Sequence, residues 1–138
     1  MKDIFCKIID GEIPSNKVYE DDDVIAILDI SQVTRGHTLV IPKEHYENYL
    51  TCPQELMHKV FDVAQRIGQA EVAVLGAEGV NILTNVGKEA GQSIPHFHVH
   101  VIPRYHMDGF MIAMKGQDTS RMDLPLLARQ ISDKVKEK

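Results

Sequence analysis

The stretch that decides the fold reads Pro95-His96-Phe97-His98-Val99-His100-Val101-Ile102-Pro103. Side chains on a β-strand point alternately to opposite faces, so the pattern predicts a strand with three imidazoles on one face. The apolar residues between the histidines would lie on the other face, in a core. A helix would scatter the imidazoles around its axis, and the β-branched residues disfavour it as well. Neighbouring histidines on such a strand lie roughly 6.6 Å apart, so one small anionic ligand can touch two of them.

Four interpretations of the three histidines are open from the residues alone. The first, three exposed residues on a solvated face, is disfavoured by the strict alternation. The second is a metal site, because His-x-His on a strand can present two nitrogens to zinc, although the run contains no carboxylate and the chain contains no His-Glu-x-x-His motif. The third is nucleophilic catalysis, since a neutral imidazole near pH 7 can attack phosphorus and carry protons. The fourth is phosphate binding without turnover.

A polar loop that contains glycines precedes the histidines. Gly91, Gln92 and Ser93 offer backbone N–H groups and a hydroxyl where the predicted strand begins, and Asn85 adds an amide. Such groups bind phosphate without carrying a full charge. The loop is not a P-loop, because no Gly-Lys-Ser/Thr follows the glycines. Its position beside the imidazoles predicts a phosphate contact.

Size and composition narrow the class of protein. A chain of 138 residues predicts one domain over residues 1–138, and a net charge of −5 without Lys/Arg clusters argues against DNA or RNA as a partner. Cys6 and Cys52 make no disulfide framework and suit a reducing compartment. The N-terminal residues contain no long apolar run, so we expect no signal peptide and no membrane anchor. The predicted location is the cytoplasm.

The remaining patterns predict an α+β fold, with a mainly antiparallel five-stranded sheet, one long helix and short terminal helices. The predicted strands are residues 17–20, 24–28, 37–42 and 80–84 and the histidine strand itself, with 110–112 as a candidate edge strand. The predicted helices are residues 1–10, a long helix with Thr51 as its cap and Gly76 at its end, and a last helix capped by Asp123. The long helix carries apolar residues beyond one stripe, so it is a candidate for contact with a partner subunit.

The histidine stretch resembles the signature of the histidine-triad family, His-x-His-x-His followed by apolar residues, in its nucleotide-binding branch. The resemblance extends in the same order through residues 3–9, 12–14, 29–31, 36–43 and 91–93. It covers the chain from residue 3 to about residue 106, and residues 107–138 resemble the family least. It implies a homodimer whose sheet continues across the two subunits, with the long helix at the interface.

The resemblance also implies a purine nucleotide hydrolase or transferase that acts at an α-phosphate. His98 would be the nucleophile that forms a nucleotidyl-histidine intermediate, and His100 would assist at the phosphate or the leaving group. The other roles it implies are support of the imidazole network by His96 and His37, phosphate or leaving-group contacts by Ser93, Asn85 and the Gln92 loop, ribose contact by Asp29, and a purine pocket of Ile4, Phe5, Ile8 and Ile30.

The substrate that the resemblance implies is a nucleoside phosphoramidate or a related nucleotide ester or anhydride. Dinucleoside polyphosphates and nucleotide binding without turnover are the alternatives. No cofactor is expected to be required for catalysis. Some bacterial relatives carry a structural zinc on Cys-x-x-Cys and two histidines; here Asp3 stands at the first cysteine position, beside Cys6, His45 and His96. Because aspartate lacks the soft sulfur ligand, the sequence does not favour zinc at this site.

Overall fold

One five-stranded antiparallel sheet forms the centre of the fold. The structure, a computed structural model, describes residues 2–137. The strands are β1 Lys17–Glu20, β2 Val24–Leu28, β3 Thr38–Pro42, β4 Gly79–Leu83 and β5 Val99–Arg104, in the spatial order β1-β2-β3-β5-β4. The helices are α1 Ile4–Ile9, α2 Gln54–Leu75 and α3 Leu124–Lys136, with a 3₁₀ turn at Lys88–Ala90. The predicted α+β class and the five antiparallel strands are confirmed.

The histidine stretch separates two apolar layers, one on each face of the sheet. Phe97, Val99 and Val101 are fully buried in a cluster with Val60 and Ala64 of α2. Burial of a side chain of this size contributes about 1.5–3 kcal/mol to stability. On the opposite face a second cluster forms under α1, from Phe5, Ile25, Ile27, Leu39 and Ile41. The imidazoles point to this second face, as the alternation predicts.

Strand register brings His100, the histidine of β5, next to the residues that precede β3. In the antiparallel ladders His100 is paired with Leu39 of β3 on one side and with Leu83 of β4 on the other. His100 therefore lies in the middle of the sheet, next to His37.

The histidine strand begins later than the sequence predicts. β5 starts at Val99, so His96 and His98 precede it. His96 lies in a bend, where its N–H donates to the Ile94 carbonyl at 2.8 Å, and the Phe97 N–H donates to the Tyr46 carbonyl at 2.7 Å rather than to a neighbouring strand. The side chains still alternate: Phe97, Val99 and Val101 lie in one apolar cluster, and the rings of His96 and His98 pack against Phe5 on the other face.

Two further strand boundaries and the start of the long helix also differ from the prediction. β3 begins at Thr38 and β4 covers Gly79–Leu83. The predicted Thr51 cap is wrong, because α2 begins at Gln54 after Pro53, whose side chain makes no capping bond. The Thr51 hydroxyl instead donates to the Asn48 carbonyl in the preceding turn.

The two terminal helices begin at capping aspartates. Asp3 caps α1 by accepting from the Cys6 N–H, so this helix is shorter than the predicted 1–10, and Met1 lies outside the described residues. Asp123 caps α3 by accepting from the Leu126 N–H, as predicted. The end of α2 at Gly76, with a left-handed φ of 70°, also matches the prediction.

Residues 110–112 form no strand. Arg104 donates to the Asp108 carboxylate and the Phe110 carbonyl, which closes a tight turn directly after β5. This turn directs the chain away from the sheet, and Met111 is 82% exposed. Among residues 2–137, no helix combines the length and the apolar character that a membrane crossing requires.

Candidate active site

His98 presents one ring nitrogen as a free lone pair. Its Nδ1 lies 2.7 Å from the His96 carbonyl oxygen, a distance at which the ring N–H donates to that carbonyl. A neutral imidazole has a single N–H, so Nε2 is unprotonated. The residue is 9% exposed and packs edge-on against Phe5. Burial lowers the pKa of His98 below its ordinary value, which keeps the ring neutral at pH 7.

A second pair of imidazoles lies beside His98. His37 Nε2 and His100 Nδ1 are 3.0 Å apart and share one proton. Asp29 Oδ2 lies 3.7 Å from His37 Nδ1, so the carboxylate favours a proton on that nitrogen. In this tautomer His100 donates from Nδ1 to His37, and His100 Nε2 is also a free lone pair.

The pair is uncharged in the absence of a ligand, with His37 buried and His100 half-buried. Burial, followed by the neighbouring charges of His98 and His37, lowers the pKa of His100 to about 4. Burial also lowers the pKa of His37, and Asp29 opposes this effect. The His98 and His100 ring centroids are 5.0 Å apart, close enough for one phosphate to contact both rings. A neutral nucleophile beside a proton carrier is the arrangement that phosphoryl transfer through histidine requires.

The loop before the histidines is shaped by Gln92. Its Oε1 accepts from the Gly87 N–H, and its Nε2 donates to the Glu47 and Ile94 carbonyls. These bonds occupy both the amide oxygen and the amide nitrogen of Gln92, a residue predicted to contact the nucleotide. Gln92 is therefore a residue that positions the loop, and its contact with nucleotide stays a prediction.

Ser93 and Asn85 are the loop residues with polar groups still available. Ser93 is exposed and lines a shallow cavity of about 580 Å³, together with Lys88 and Glu47. A Cβ at Gly91 would lie 3.6 Å from Asn85 Nδ2, so the glycine leaves the amide open. The cavity is open to solvent, and none of the three motif histidines is among its lining residues.

An apolar cavity of about 200 Å³ lies under α1, and Asp29 is at its edge. It brings together the four predicted purine-pocket residues, which are Ile4, Phe5, Ile8 and Ile30. Ile30 is 92% exposed, so it stands at the open edge of this cavity, and the purine pocket stays a prediction. Asp29 accepts the Ser31 N–H on Oδ1, and its Oδ2 faces His37.

His96 belongs to a different cluster from the other two histidines of the motif. Its Nε2 donates to the Pro42 carbonyl at 2.9 Å, so its Nδ1 is a lone pair that faces Asp3 Oδ2 at 3.1 Å and Cys6 Sγ at 3.7 Å. The ring contributes no hydrogen bond to His98 or His100; its backbone carbonyl orients His98 instead. The predicted place of His96 in the imidazole network is therefore corrected to a backbone contact.

The cluster around Asp3 fits a zinc ion. One oxygen of Asp3, Cys6 Sγ and His96 Nδ1 lie within 4.8 Å of one another. His45 Nε2 lies 3.2 Å from the same Asp3 oxygen, but it is also 2.7 Å from the Pro95 carbonyl oxygen and donates to it, so His45 would have to turn away from Pro95 before this nitrogen could be a fourth ligand. Without a cation or an added proton, the Asp3 oxygen and His96 Nδ1 would be two acceptors facing each other. A carbonyl acceptor on the far ring nitrogen, here Pro42, is typical of a zinc-binding histidine.

Two positioning residues of this site were not predicted from the sequence. The Thr84 hydroxyl donates to the His98 carbonyl at 2.6 Å. Gln32 Nε2 donates to the carbonyls of Asp29 and His37, and its Oε1 accepts from the Gly36 N–H. Gln32 lies between Asp29 and His37 in the sequence, which is a local signal; Thr84 gives no such signal, because it contacts His98 across 14 positions.

Comparison with known proteins agrees with this geometry. The HIT domain family profile matches residues 10–107. A Bacillus subtilis relative, "Protein hit", is 47% identical over 96% of this chain and 93% of its own length. Adenylylsulfatase HINT3 of Arabidopsis thaliana is 42% identical over 76% of this chain and 53% of its own length.

Solved structures extend the agreement to the whole fold. A HIT family protein from Bacillus subtilis superposes with a TM-score of 0.91 and 45% identity, covering 100% of both chains. A Streptococcus mutans protein gives a TM-score of 0.91 at 44% identity, covering 99% of this chain and 87% of its own. With the three histidines, the sheet and the profile in agreement, this chain belongs to the histidine-triad (HIT) domain family of nucleotide-binding proteins and hydrolases.

Proposed function

We propose that this protein is a purine nucleotide hydrolase or transferase that attacks the α-phosphate through His98 Nε2. The observation that carries the proposal is the hydrogen bond from His98 Nδ1 to the His96 carbonyl, because it leaves an unprotonated Nε2 in a buried site. A merely exposed histidine would have neither this fixed tautomer nor this burial. The preferred substrate is a nucleoside phosphoramidate, and hydrolysis yields the nucleoside monophosphate.

The reaction proceeds in two displacements. His98 Nε2 forms a bond to the α-phosphorus while the bond from phosphorus to the leaving amine breaks, and the amine leaves with an added proton. Water then attacks the phosphorus, the bond from phosphorus to Nε2 breaks, and the water proton that is lost returns to the site. Both steps need a proton carrier at the leaving-group side, and we assign that role to His100, whose ring centroid is 5.0 Å from that of His98.

The proton on His100 depends on the substrate. In the free protein the low pKa of His100, about 4, leaves it neutral. A bound phosphate brings negative charge to the pair, which raises the pKa of His100 and favours its protonated form. His37 then accepts the Nδ1–H of His100, and Asp29 stabilises the positive charge across both rings.

The apolar cavity supports a purine nucleoside as the rest of the substrate. Its apolar walls suit a planar base, and Asp29 at its edge suits ribose hydroxyls as hydrogen-bond donors. Dinucleoside polyphosphates and nucleotide sulfates are alternative substrates, because they present the same α-phosphate to His98 with a different leaving group. The activity in the name of the Arabidopsis relative is a reason to include adenylyl sulfate in the assay.

The test is turnover of adenosine 5′-phosphoramidate by the His98→Ala variant. We expect a loss of at least about a thousandfold in kcat, since covalent catalysis loses its nucleophile. His106→Ala is the matched control, because His106 is exposed and outside the site. A quenched single turnover should also show a nucleotidyl adduct on His98 by mass spectrometry. Unchanged turnover in the variant would exclude His98 as the nucleophile. If the unmodified protein turns over none of these substrates, the remaining interpretation is nucleotide binding without turnover.

We also propose that the protein is a homodimer whose sheet continues across β4. β4 is an edge strand, and an unpaired edge is a site for pairing with another chain. Ile82 of β4 is 44% exposed, which supports cover by a second subunit. Sedimentation equilibrium tests this, and a monomer at micromolar concentration would contradict it. No nucleic acid or membrane partner is proposed.

A further inference from the structure

A groove on the α2 side of the sheet contains a buried carboxyl group without a partner. The groove has a volume of about 390 Å³ and lies between the last turns of α2 and the β1–β2 edge, with Val18, Leu28, Ile67 and Val74 among its walls. Glu71 lines it and is only 7% exposed. We call this surface the Glu71 groove. It lies outside the active site, which is on the α1 face of the sheet.

Glu71 lacks a hydrogen-bond donor for one of its oxygens. Among residues 2–137, Glu71 Oε1 has no hydrogen-bond partner. Arg35 lines the same groove, but it forms no salt bridge to Glu71 within residues 2–137. Burial raises the pKa of Glu71 to about 7. Leaving a buried polar group unpaired costs about 1–3 kcal/mol, so the groove favours an occupant that brings a donor.

The C-terminal arm, residues 105–137, carries an exposed apolar surface. Its helix α3 has no buried residue. One face carries an apolar stripe of Leu124, Leu127, Ala128, Ile131 and Val135, and Ile131 is 63% exposed. A helix of 13 residues is only marginally stable in water without packing. The stripe therefore favours a surface that covers it.

In two solved structures, part of the chain that corresponds to the C-terminal arm superposes on the arm of this protein. A TM-score cannot exceed the fraction of the chain that superposes. Residues 1–104 are three quarters of this chain, so the score of 0.91 in both comparisons requires that much of the arm superposes as well. An arm that makes so few contacts with its own domain keeps its position only if another molecule holds it. The molecule that both crystals are certain to supply is another copy of the chain.

We propose that the α3 stripe of one copy lies in the Glu71 groove of a second copy, with Lys134 donating to Glu71. Lys134 follows Ile131 by three positions and Leu127 by seven, so it lies at the edge of the stripe. The occupant thus offers an apolar face and, at its edge, a lysine that would exchange its solvent-exposed ion pair with Glu137 for the buried carboxylate. The groove offers an apolar wall and one carboxylate without a donor. The 13-residue α3 is about 20 Å long, which matches several turns of α2. This contact is separate from the β4 edge.

Cysteine cross-linking between different copies tests the contact directly. Ala70 is exposed on the groove side of α2, so Ala70→Cys leaves the core intact. We expect a mixture of the full-length Ala70→Cys chain and the full-length Ile131→Cys chain to form a covalent dimer under mild oxidation. Peptide mass spectrometry should identify the 70–131 linkage. The control pair is Gln65→Cys with Ile131→Cys, because Gln65 is exposed on the far side of α2, and we expect at least tenfold less product from it.

A second variant tests the apolar stripe without touching the groove. Ile131→Asp should remove most of the amide exchange protection in α3 and lower the protection of residues 67–75. Gln130→Asp is the matched control with the same charge on the polar side of α3, and it should change neither. The proposal is overturned if the mixture of Ala70→Cys and Ile131→Cys chains forms no 70–131 linkage, if the Gln65 pair links equally well, or if the two α3 variants have the same effect. None of these results depends on catalysis.

Discussion

His37 Nε2 lies 3.0 Å from His100 Nδ1, and these two residues are separated by 63 positions in the sequence. The contact exists because the antiparallel ladder pairs Leu39 of β3 with His100 of β5. It places a second buried, neutral imidazole behind the proton carrier of the proposed reaction. The pH dependence of the reaction follows from this burial.

The rate should fall at acid pH through protonation of His98. Burial lowers the pKa of His98 below 6.5, so protonation of the nucleophile begins only below that pH. We expect kcat/KM for adenosine 5′-phosphoramidate to be constant from about pH 6.5 to pH 8 and to decrease below this range. The measurement is a steady-state pH profile at constant ionic strength. A nitrogen NMR titration of the ligand-free imidazoles is the control for ionisation of the substrate, and an apparent pKa of His98 above 7 would contradict the prediction.

The burial of these histidines also predicts how the free energy of unfolding depends on pH. In the unfolded chain these histidines regain a pKa near 6.5, so at acid pH the unfolded state binds more protons than the native state does. The free energy of unfolding should therefore decrease as the pH falls below about 6.5. Urea unfolding at pH 7.5 and at pH 5 measures the loss in the free energy of unfolding, and this loss should be smaller in the His100→Gln variant. If the variant loses as much stability as the unmodified protein, groups other than His100 cause the pH dependence.

Thr84 is expected to affect the rate through the position of His98. Its hydroxyl donates to the His98 carbonyl at 2.6 Å, at the point where the chain enters β5. Thr84→Val removes the donor with little change in volume, so we expect kcat to fall about tenfold with little change in KM, since a misplaced nucleophile affects only the reaction step. Thr84→Ser keeps the hydroxyl and should restore most of the rate. A rate for Thr84→Ser as low as that of Thr84→Val would instead indicate a general packing defect.

The alternation around His98 was sufficient to predict which residues form the core. Phe97, Val99 and Val101 are buried against α2 because a period of two is a local property of an extended chain. The start of β5 could not be predicted in the same way. It depends on the Phe97 N–H donating to Tyr46, a residue 51 positions away, and no local pattern contains that contact.

The sequence predicts which residue types form the site more successfully than it predicts which side chains contact one another. His98 and His100 are together on the α1 face, as the strand pattern implies. His96 shares that face but not that site, because its ring reaches Asp3 and Cys6 at the start of α1, where the chain has left the ladder. Whether a side chain at the end of a strand contacts its neighbour or a distant helix is decided by tertiary packing.

Chelation should leave the reaction unchanged. The Asp3 cluster contains neither His98 nor His100. His100 forms a second group of metal-ligand side chains with Asp29 and His37, but His98 is in neither group, and a neutral imidazole needs no metal to attack phosphorus. We expect kcat to stay within twofold after exhaustive treatment with EDTA and phenanthroline. Elemental analysis before and after the treatment is the control, and it also measures whether the Asp3 cluster holds zinc. A loss of activity that added zinc restores would contradict a metal-independent reaction.

Ile30 is expected to contribute to nucleotide binding and almost nothing to folding. Its side chain is 92% exposed at the edge of the apolar cavity, so a purine base would cover a surface that the free protein leaves in water. Ile30→Ser should raise KM for adenosine 5′-phosphoramidate about 5- to 30-fold, which corresponds to about 1–2 kcal/mol of lost apolar burial. The midpoint of thermal unfolding should change by less than about 2 °C, since an exposed side chain contributes little to stability. Val33→Ser is the matched control, because Val33 is in the same loop, is 40% exposed and does not line the cavity. Equal effects of the two variants on KM would mean that the base binds elsewhere.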